Sequence, residues 1–335
     1  MRVLVTGGAG YIGSHIAWAL HDRGDSVAVI DDLSTGDRGL LPPAVSLNVC
    51  DAGDFSQVSG ILRERRIDWV IHAAGSIVVS DSVGDPLSYY GNNTGVSRRL
   101  VSACLDAGVQ GLLFSSTAAV YGEPDRVPIS EDAPLSPINP YGRSKLMTEW
   151  MLQDVAAAHG LKALCLRYFN AAGADPRGRT GQISPVATHL IKIAAQAATG
   201  QRRGLAVFGT DYATRDGTCE RDFIHVSDLA QAHLDGLDYL AGEAPRFSAL
   251  NLGYGRGATV RDVIEALQSL LSSPIAVQDA PRRPGDPARL IADPARARAL
   301  LGWQPQRDDL SAILRDAVAW EAKLAGIPSP LRAGV

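Results

Sequence analysis

A glycine-rich turn near the start of the sequence limits the choice of fold more than any other pattern in it. Gly7, Gly10 and Gly13 fit the spacing T-G-x-x-G-x-x-G, and Gly8 with the last two also fits G-x-G-x-x-G. In such a turn one glycine allows the tight bend, a second lets the backbone approach a pyrophosphate, and a third lets helix and strand pack closely. The N–H groups at the start of the helix then meet the phosphates. Because this turn lies between a strand pattern and a helical pattern, it predicts a dinucleotide site.

An acidic pair after the next predicted strand distinguishes between the two common dinucleotides. The strand Ser26–Asp31 ends in a carboxylate 18 residues after Gly13, and Asp32 follows it directly. A carboxylate at this place accepts hydrogen bonds from the ribose hydroxyls of the adenosine half. The same negative charge repels the 2′-phosphate of NADP. The sequence therefore favours NAD.

The first half of the chain alternates β-branched runs with helical patterns, which is typical of a parallel sheet with right-handed crossovers. The predicted strands are Val3–Thr6, Ser26–Asp31, Val45–Val49, Trp69–His72, Gly111–Ser115 and Ala163–Arg167. The predicted helices are Ile12–Arg23, Asp54–Arg65, Pro86–Ala107 and Tyr141–His159. We predict an α/β fold with a doubly wound parallel sheet of the Rossmann type.

The pattern changes after Asn170 and predicts a smaller α/β domain for the substrate. The elements predicted after Asn170 are the loops 171–182 and Gly209–Thr218, the strand Leu205–Phe208, the helices Ile183–Thr199, Val226–Leu240, Thr259–Leu271, Ala295–Leu301 and Asp309–Leu324, and a Pro- and Arg-rich connection over Pro274–Arg289. We assign residues 1–170 with about 222–250 to the dinucleotide domain. Residues 171–221 with about 251–335 form the predicted C-terminal substrate domain.

Charge and cysteine content exclude several classes of function. A net charge of −4 gives no electrostatic reason to expect binding to nucleic acid or to an anionic membrane. The four cysteines lie far apart with no C-x-x-C pair, so neither a metal site nor a redox dithiol is predicted. No apolar run reaches the roughly 18 residues of a membrane helix, and the N-terminal apolar run is too short for a signal peptide. We expect a cytoplasmic protein.

A tyrosine and a lysine four residues apart supply candidate proton chemistry. Tyr141 and Lys145 begin a predicted helix, where positions i and i+4 share one face. A phenol has a reference pKa near 10, and a nearby cation is expected to lower that pKa by stabilising the phenolate. Such a tyrosine can exchange a proton with a substrate hydroxyl while hydride leaves the same carbon. The pair alone is weak evidence, because chance Y-x-x-x-K pairs are common.

The hydroxyls at the end of the fifth predicted strand strengthen that hypothesis. Ser115, Ser116 and Thr117 follow one another there, and ligands of such sheets sit at the carboxyl ends of the strands. We expect Thr117 to hydrogen-bond the same substrate oxygen as Tyr141. The alternative for Ser115 and Ser116 is a purely structural role in the loop or as a helix cap.

These motifs together make the chain resemble the extended short-chain dehydrogenase/reductases, most closely the UDP-glucose (UDP-galactose) 4-epimerases. The resemblance runs from Met1 to about Trp303. It is carried by the segments Thr6–Gly13, Ser115–Gly122, Asn139–Lys145, Arg167–Asn170, Asp216–Ala230 and Arg282–Pro287. The resemblance implies NAD as cofactor, a UDP-sugar as substrate, and a homodimer formed through the helices Pro86–Ala107 and Tyr141–His159.

The resemblance also implies roles for individual residues. The implied NAD-binding residues are Gly7, Gly10, Tyr11, Ile12, Gly13, Asp31, Asp32, Leu33, Ser34, Thr35, Gly36, Asn48, Val49, Ala73, Ala74, Gly75, Asn92, Ser115, Tyr141, Lys145 and Phe169. The implied substrate-binding residues are Thr117, Tyr141, Asn170, His189, Leu190, Ala206, Phe208, Arg221, Arg283, Asp286 and Leu290. The two arginines of this set, Arg221 and Arg283, suit a diphosphate, since guanidinium groups make bidentate phosphate contacts. This chain departs from the family at Asn48, Ile77 and His189, where aspartate, lysine and asparagine are usual.

The residues after Thr117 indicate which reaction of the family this chain runs. Ala118 and Ala119 stand where dehydratases of the family carry an acid pair and decarboxylating members a glutamate. The remaining set, Thr117 with Tyr141 and Lys145, suffices for inversion at C4 through a 4-keto sugar. Leu290 replaces a tyrosine of strict glucose/galactose enzymes, so UDP-N-acetylhexosamines and UDP-pentoses stay open as substrates. The alternative from a different functional class is a protein of the same fold that binds NAD but does not catalyse a reaction.

Overall fold

The strands follow the sequence closely in the first half and add short pairs in the second. The structure, a computed structural model, describes residues 1–184, 188–283 and 286–332. Its strands are β1 (Arg2–Thr6), β2 (Ser26–Asp31), β3 (Ser46–Val49), β4 (Trp69–His72), β5 (Gly111–Thr117), β6 (Lys162–Tyr168), β7 (Asn170–Ala172), β8 (Leu205–Phe208), β9 (Glu220–Arg221), β10 (Phe223–His225), β11 (Phe247–Leu252), β12 (Ala258–Thr259), β13 (Val277–Ala280) and β14 (Arg289–Leu290).

The helices begin and end at local signals that the sequence carries. They are α1 (Tyr11–Arg23), α2 (Phe55–Glu64), α3 (Val79–Gly84), α4 (Pro86–Tyr89), α5 (Val96–Ala107), α6 (Pro140–His159), α7 (Leu190–Ala198), α8 (Val226–Ala241), α9 (Val260–Leu270), α10 (Ala295–Leu301) and α11 (Leu310–Ala325). The Asp54 side chain accepts from Gln57 N and caps α2, while Gly24 and Gly160 end α1 and α6 in the left-handed conformation. None of the helices in the described parts of the chain combines the length and apolar character that a membrane span needs.

The main sheet has seven parallel strands in the order β11-β6-β5-β4-β1-β2-β3. This order confirms the predicted doubly wound α/β fold. The chain reverses its direction of travel across the sheet between β1 and β4, and ligands bind in the crevice at such a switch point. The glycine turn follows β1, and Ala73–Gly75 follow β4. The sheet therefore places both predicted cofactor segments at the same edge.

Both faces of the sheet are buried, as a doubly wound fold requires. Val3 and Val5 of β1 belong to a core that includes Ile16 of α1. Leu4 between them points to a second core that includes Leu62 of α2 and Leu100 of α5. Alternate residues of one strand therefore fill two separate cores, which explains why β1 is a continuous apolar run. The predicted division into two domains stays a prediction.

Three predictions of secondary structure were wrong, one predicted helix contains an unexpected turn, and one strand of the main sheet was missed. The helix predicted over Ile183–Thr199 begins only at Leu190, with residues 185–187 outside the described range. The connection Pro274–Arg289 contains β13, which pairs with β8, and the loop 171–182 begins inside β7. The predicted helix Pro86–Ala107 is helical throughout, but it includes a π-helical turn over Tyr90–Gly95. The edge strand β11 was missed, since its sequence Phe-Ser-Ala-Leu-Asn-Leu alternates weakly and takes its register from β6.

Candidate active site

The glycine turn forms a cradle that side chains would fill. Gly7 has φ +66°, and a Cβ there would lie 2.6 Å from Ala74 N. A Cβ at Gly13 would lie 2.1 Å from Gly7 O, whereas one at Gly10 would meet only that same oxygen at 3.3 Å. Gly10 also begins α1 without a side-chain cap. The first N–H groups of α1 therefore face an open space, which fits a pyrophosphate.

The carboxylate that ends β2 is held by the backbone around it. Asp31 is buried, and its oxygens accept from Ala9 N and from Leu33 N, each at 2.9 Å. Leu33 has φ +59°, a conformation that is costly for leucine and is found most often at functional sites. A Cβ at Gly36 would lie 2.8 Å from Ala9 O. The loop is thus fitted tightly onto the glycine turn, and the Asp31 carboxylate joins the two.

Other predicted cofactor residues surround the same edge of the sheet. Asn48 on β3 donates to Val29 O at 3.1 Å, and the neighbouring Val49 is 61% exposed. Ser34 N and its hydroxyl both bind Asp32 Oδ1, so Asp32 is turned to the loop. Tyr11 and Ile12 occupy the first turn of α1, and Thr35 lies in the loop between Ser34 and Gly36.

The packing of α6 brings Tyr141 to Thr117. Asn139 caps this helix by accepting from Gly142 N at 2.8 Å, and Pro140 stands at its first position. A Cβ at residue 142 would lie 2.6 Å from Ala119 O. Glycine therefore allows the start of α6 to lie against the segment that follows β5. The Thr117 hydroxyl is close enough there to act on the Tyr141 phenol.

Lys145 lies one helical turn later and is buried. Its Nζ donates to Ser115 O at 2.9 Å and stands 4.9 Å above the centre of the Phe114 ring. Burial lowers the pKa of Lys145 to about 8. Burial also raises the pKa of Tyr141, and the Thr117 hydrogen bond offsets this only in part. The expected lowering of the phenol pKa is therefore wrong for this structure, because desolvation of the phenolate outweighs its stabilisation.

The serines beside Thr117 have structural partners. The Ser115 hydroxyl lies 2.8 Å from Tyr168 Oη, and that phenol also bonds to the buried His233. The Ser116 hydroxyl donates to Glu149, which forms a buried ion pair with Arg167. These contacts favour the structural alternative for both hydroxyls. Instead, the backbone carbonyl oxygen of Ser115 accepts the hydrogen bond from Lys145 Nζ.

Sequence reasoning missed Asn93. This buried side chain donates to Ser144 Oγ at 3.0 Å and to Ser76 O at 3.1 Å, and it accepts from Ser76 N at 2.8 Å. It therefore joins the segment after β4 to the helix that carries Tyr141 and Lys145. The predicted Asn92 is exposed and donates to Ser76 Oγ. The π-helical turn at Tyr90–Gly95 rotates Asn93 inward, and the sequence carries no local signal for such a turn.

One cavity unites predicted residues of the cofactor and the substrate. Its lining includes Tyr11, Asn170, His189 and Leu190. Tyr11 Oη donates to Gly173 O at 2.7 Å, so the glycine turn touches the segment after β7. His189 caps no N–H at the start of α7. The structure thus brings together residues from three separate segments of the sequence.

The predicted diphosphate residues form a second group on the short strands. Arg221 lies 3.7 Å from Asp286, and the Arg283 guanidinium stands 3.9 Å above the centre of the Phe208 ring. Ala206 and Phe208 are both partly exposed on one face of β8. Arg282, although adjacent to Arg283, is turned onto the Tyr212 ring and pairs with Asp211. Within the described residues, no cluster of His, Cys, Asp and Glu is suited to a metal.

The strand β14 connects this second group to the Tyr141 end. Leu290 pairs in register with Arg221. Its side chain also packs against the cluster that contains Ala118, Val120 and Phe169. Phe169 is buried, and its N–H donates to Leu252 O at 3.1 Å. Leu290 therefore stands between the arginines and the segment after Thr117.

Comparison with known proteins gives the same result over nearly the whole chain. The model of the NAD dependent epimerase/dehydratase family matches residues 3–253. A UDP-glucose 4-epimerase of Azospirillum brasilense is 56% identical over 323 residues, which cover 96% of this chain and 92% of the relative. A UDP-glucose 4-epimerase of Rhizobium meliloti is 45% identical over 96% of this chain and 97% of the relative.

Solved structures agree in fold. The UDP-glucose 4-epimerase of Stenotrophomonas maltophila, with bound NAD and formylated UDP-arabinopyranose, superposes with a TM-score of 0.94 at 38% identity over 97% of this chain and 99% of that one. The UDP-Glc/GlcNAc 4-epimerase of Campylobacter jejuni gives a TM-score of 0.84 at 45% identity over 96% and 99%. The resemblance predicted from the sequence is confirmed, and the chain belongs to the NAD dependent epimerase/dehydratase family.

Proposed function

We propose that this protein is an NAD-dependent 4-epimerase that interconverts UDP-glucose and UDP-galactose through a 4-keto sugar. The observation that carries the proposal is that the start of α6 packs against the segment after β5, so that Tyr141 lies close to Thr117 at the carboxyl end of the strand. Two hydroxyls that meet at one point can both address the O4 atom of a hexose. Relatives named UDP-glucose 4-epimerase at 56% and 45% identity support the same activity.

Tyr141 is the proposed acid and base. Ala119 N donates to Thr117 Oγ1 at 3.2 Å, so the Thr117 hydroxyl keeps its own proton available for donation. Thr117 then holds O4 while Tyr141 Oη takes the proton from it, and the same phenol returns that proton at the end of the cycle. NAD⁺, when bound, supplies the hydride acceptor and donor at C4 and a positive charge that favours the phenolate. Lys145 is the proposed anchor for the nicotinamide ribose.

The residues that follow Thr117 limit the reaction to inversion. Ala118 and Ala119 present methyl groups, so no second acid or base stands there to remove water or carbon dioxide from the keto sugar. We propose that the keto sugar rotates in the cleft, so that its other face would receive the hydride. The Arg221, Arg283 and Asp286 group is the proposed holder of the UDP half during this rotation.

We also propose a homodimer through α3, α4 and α6. Val83 is 65% exposed, Leu87 80%, Met147 41% and Trp150 53%, and α6 contacts both of the other helices. Exposed apolar side chains on adjoining helices are typical of a protein interface.

The four free thiols are consistent with a cytoplasmic location, which we propose for this protein. We likewise propose the division into a dinucleotide domain and a substrate domain.

A product analysis tests the activity directly. The purified protein, without added NAD, is incubated separately with UDP-galactose, UDP-N-acetylgalactosamine and UDP-arabinose, and NMR identifies the products. We expect UDP-glucose from UDP-galactose, because NAD is regenerated in each cycle. Turnover of only the second or third nucleotide would instead support the N-acetylhexosamine or pentose alternative. Bound NAD without any product would support the non-catalytic alternative.

A further inference from the structure

A second buried ion pair joins α7 to α11. Lys192 is 7% exposed and Glu321 is 2% exposed, and the Lys192 ammonium contacts the Glu321 carboxylate. The same ammonium donates to Gln182 O at 2.7 Å. Gln201 Nε2 donates to the other Glu321 oxygen at 3.1 Å, and Trp320 Nε1 to Gln182 O at 3.2 Å. Each charged group therefore has a hydrogen-bond partner in addition to the other.

The pair lies next to the proposed substrate residues. Lys192 and Glu321 line the same cavity as Asn170, His189 and Leu190. Lys192 belongs to the first turn of α7, three residues after His189. Its bond to Gln182 O spans the connection that leads into α7, so one cation holds both ends of that connection. The position of His189 and Leu190 follows from this attachment.

Stability does not explain why such a pair is present. Enclosing two charges costs several kcal/mol of desolvation per ion, and well-packed apolar residues in their place are often as stable or more stable. Apart from Lys192, the buried side chains of α7 are apolar, among them Ile191, Ala194 and Ala195, and apolar contacts are not directional. The His189 side chain makes no capping hydrogen bond. Lys192 is therefore the directional contact in the first turn of α7.

We propose that Lys192 and Glu321 are positioning residues for the UDP end of the site. Their ion pair sets the height and rotation of the first turn of α7, and so places His189 and Leu190 against the UDP half of the substrate. This inference rests on the proposed epimerase function. It concerns the affinity for the nucleotide and not the proton transfer at Tyr141, which stands on α6.

A pair of variants separates positioning from stability. Lys192→Met alone leaves Glu321 buried without a partner and is expected to lower the unfolding midpoint. Lys192→Met/Glu321→Leu replaces both charges by apolar groups of similar size and is expected to restore that midpoint. Lys323→Met is the matched control, because Lys323 lies on α11 as Glu321 does, is exposed, and donates to Gly178 O without lining the cavity.

The holoenzyme of each variant is compared by calorimetric titration with UDP and by turnover of UDP-galactose. For the double variant we expect the Kd for UDP and the KM each to rise about tenfold, which corresponds to about 1.4 kcal/mol, while kcat stays within about twofold. Wild-type Kd and KM in the double variant would overturn the inference and leave the pair a structural one. The inference would also be overturned if Lys323→Met weakened UDP binding as much as the double variant does. An inactive wild-type protein would instead refute the proposed function, and the titration would still report on positioning.

Discussion

The Tyr141 end of the proposed site stands on long parallel strands, whereas the UDP end stands on ladders of two to four residues. Thr117 ends β5, a strand of seven residues that is paired on both sides. Arg221 and Leu290 belong to β9 and β14, which have two residues each. Arg283 lies between the short strands β13 and β14. The first end is therefore fixed by the main sheet, and the second by contacts between loops.

This difference fits what each end is proposed to do. Proton and hydride transfer need reacting groups that are held in place before the substrate arrives. The UDP end has to admit and release a charged, flexible ligand, and binding groups are commonly placed on loops above a rigid scaffold. Lys145 at the first end is buried under a strand carbonyl, whereas Arg283 at the second end is exposed. The two ends should respond differently to substitution.

The largest expected effect is the loss of the phenol hydroxyl at the rigid end. Tyr141→Phe keeps the ring that packs beside Thr117 but removes the group that exchanges the proton. We expect turnover of UDP-galactose to fall about 10²–10⁴-fold, while the NAD released on denaturation stays at the wild-type amount per protein. Tyr239→Phe is the control, because this phenol bonds only weakly to Ser248 Oγ at 3.3 Å. A fully active Tyr141→Phe would refute the mechanism.

At the rigid end, we expect the buried ammonium of Lys145 to lower the free energy of unfolding. Its pKa is lowered from 10.5 to about 8, so the folded protein disfavours the ammonium that the unfolded chain accepts freely. The unfolded chain binds more protons between these two values, so the penalty is full below about pH 8 and vanishes as the pH approaches 10.5. After removal of bound nucleotide, we expect Lys145→Met to be more stable at pH 7 by about 1–3 kcal/mol.

Urea unfolding of the wild type and of Lys145→Met at pH 7 and pH 10 measures this effect. The gain should shrink at the higher pH, because the wild-type lysine then loses its proton in the folded state. Loss of the bond to Ser115 O and of the contact with Phe114 reduces the gain and is included in the range. A variant that is less stable than wild type at pH 7 would show that the ammonium is better solvated than its burial suggests.

The same contrast explains which parts of the molecule the sequence could predict. The glycine turn, Asp31, Thr117 and the Tyr141–Lys145 spacing are local signals, and the strands and helices that carry them lie within two residues of the predicted bounds. The strands β9, β12 and β14 have no local signal, since two residues acquire strand structure only through distant partners. Asn93 was missed for the same reason, because a π-helical turn and not a motif directs it inward.

Two adjacent arginines test whether the loop contacts at the UDP end are specific. Arg283 stands over Phe208, whereas Arg282 stands over Tyr212 and pairs with Asp211. We expect Arg283→Ala to raise the KM for UDP-galactose about 10–100-fold, since hydrogen bonds to charged groups contribute about 1.5–3 kcal/mol. Arg282→Ala should change it by less than about threefold, because exposed ion pairs contribute little. Equal effects of the two substitutions would mean that general positive charge, and not the geometry of Arg283, attracts the diphosphate.

The smallest effect is expected where the two ends meet, at Leu290. Its half-buried side chain packs on the Ala118 and Val120 cluster and pairs through β14 with Arg221. A tyrosine ring in its place would occupy more of the space beside the hexose. We expect Leu290→Tyr to lower the turnover of UDP-N-acetylglucosamine about tenfold, as steric discrimination in an apolar pocket allows, with little change for UDP-galactose. Parallel kinetics on both nucleotides measure this ratio. Comparable turnover of UDP-N-acetylglucosamine by wild type and variant would show that Leu290 does not admit the N-acetyl group, and that the choice of sugar is made at the rigid end.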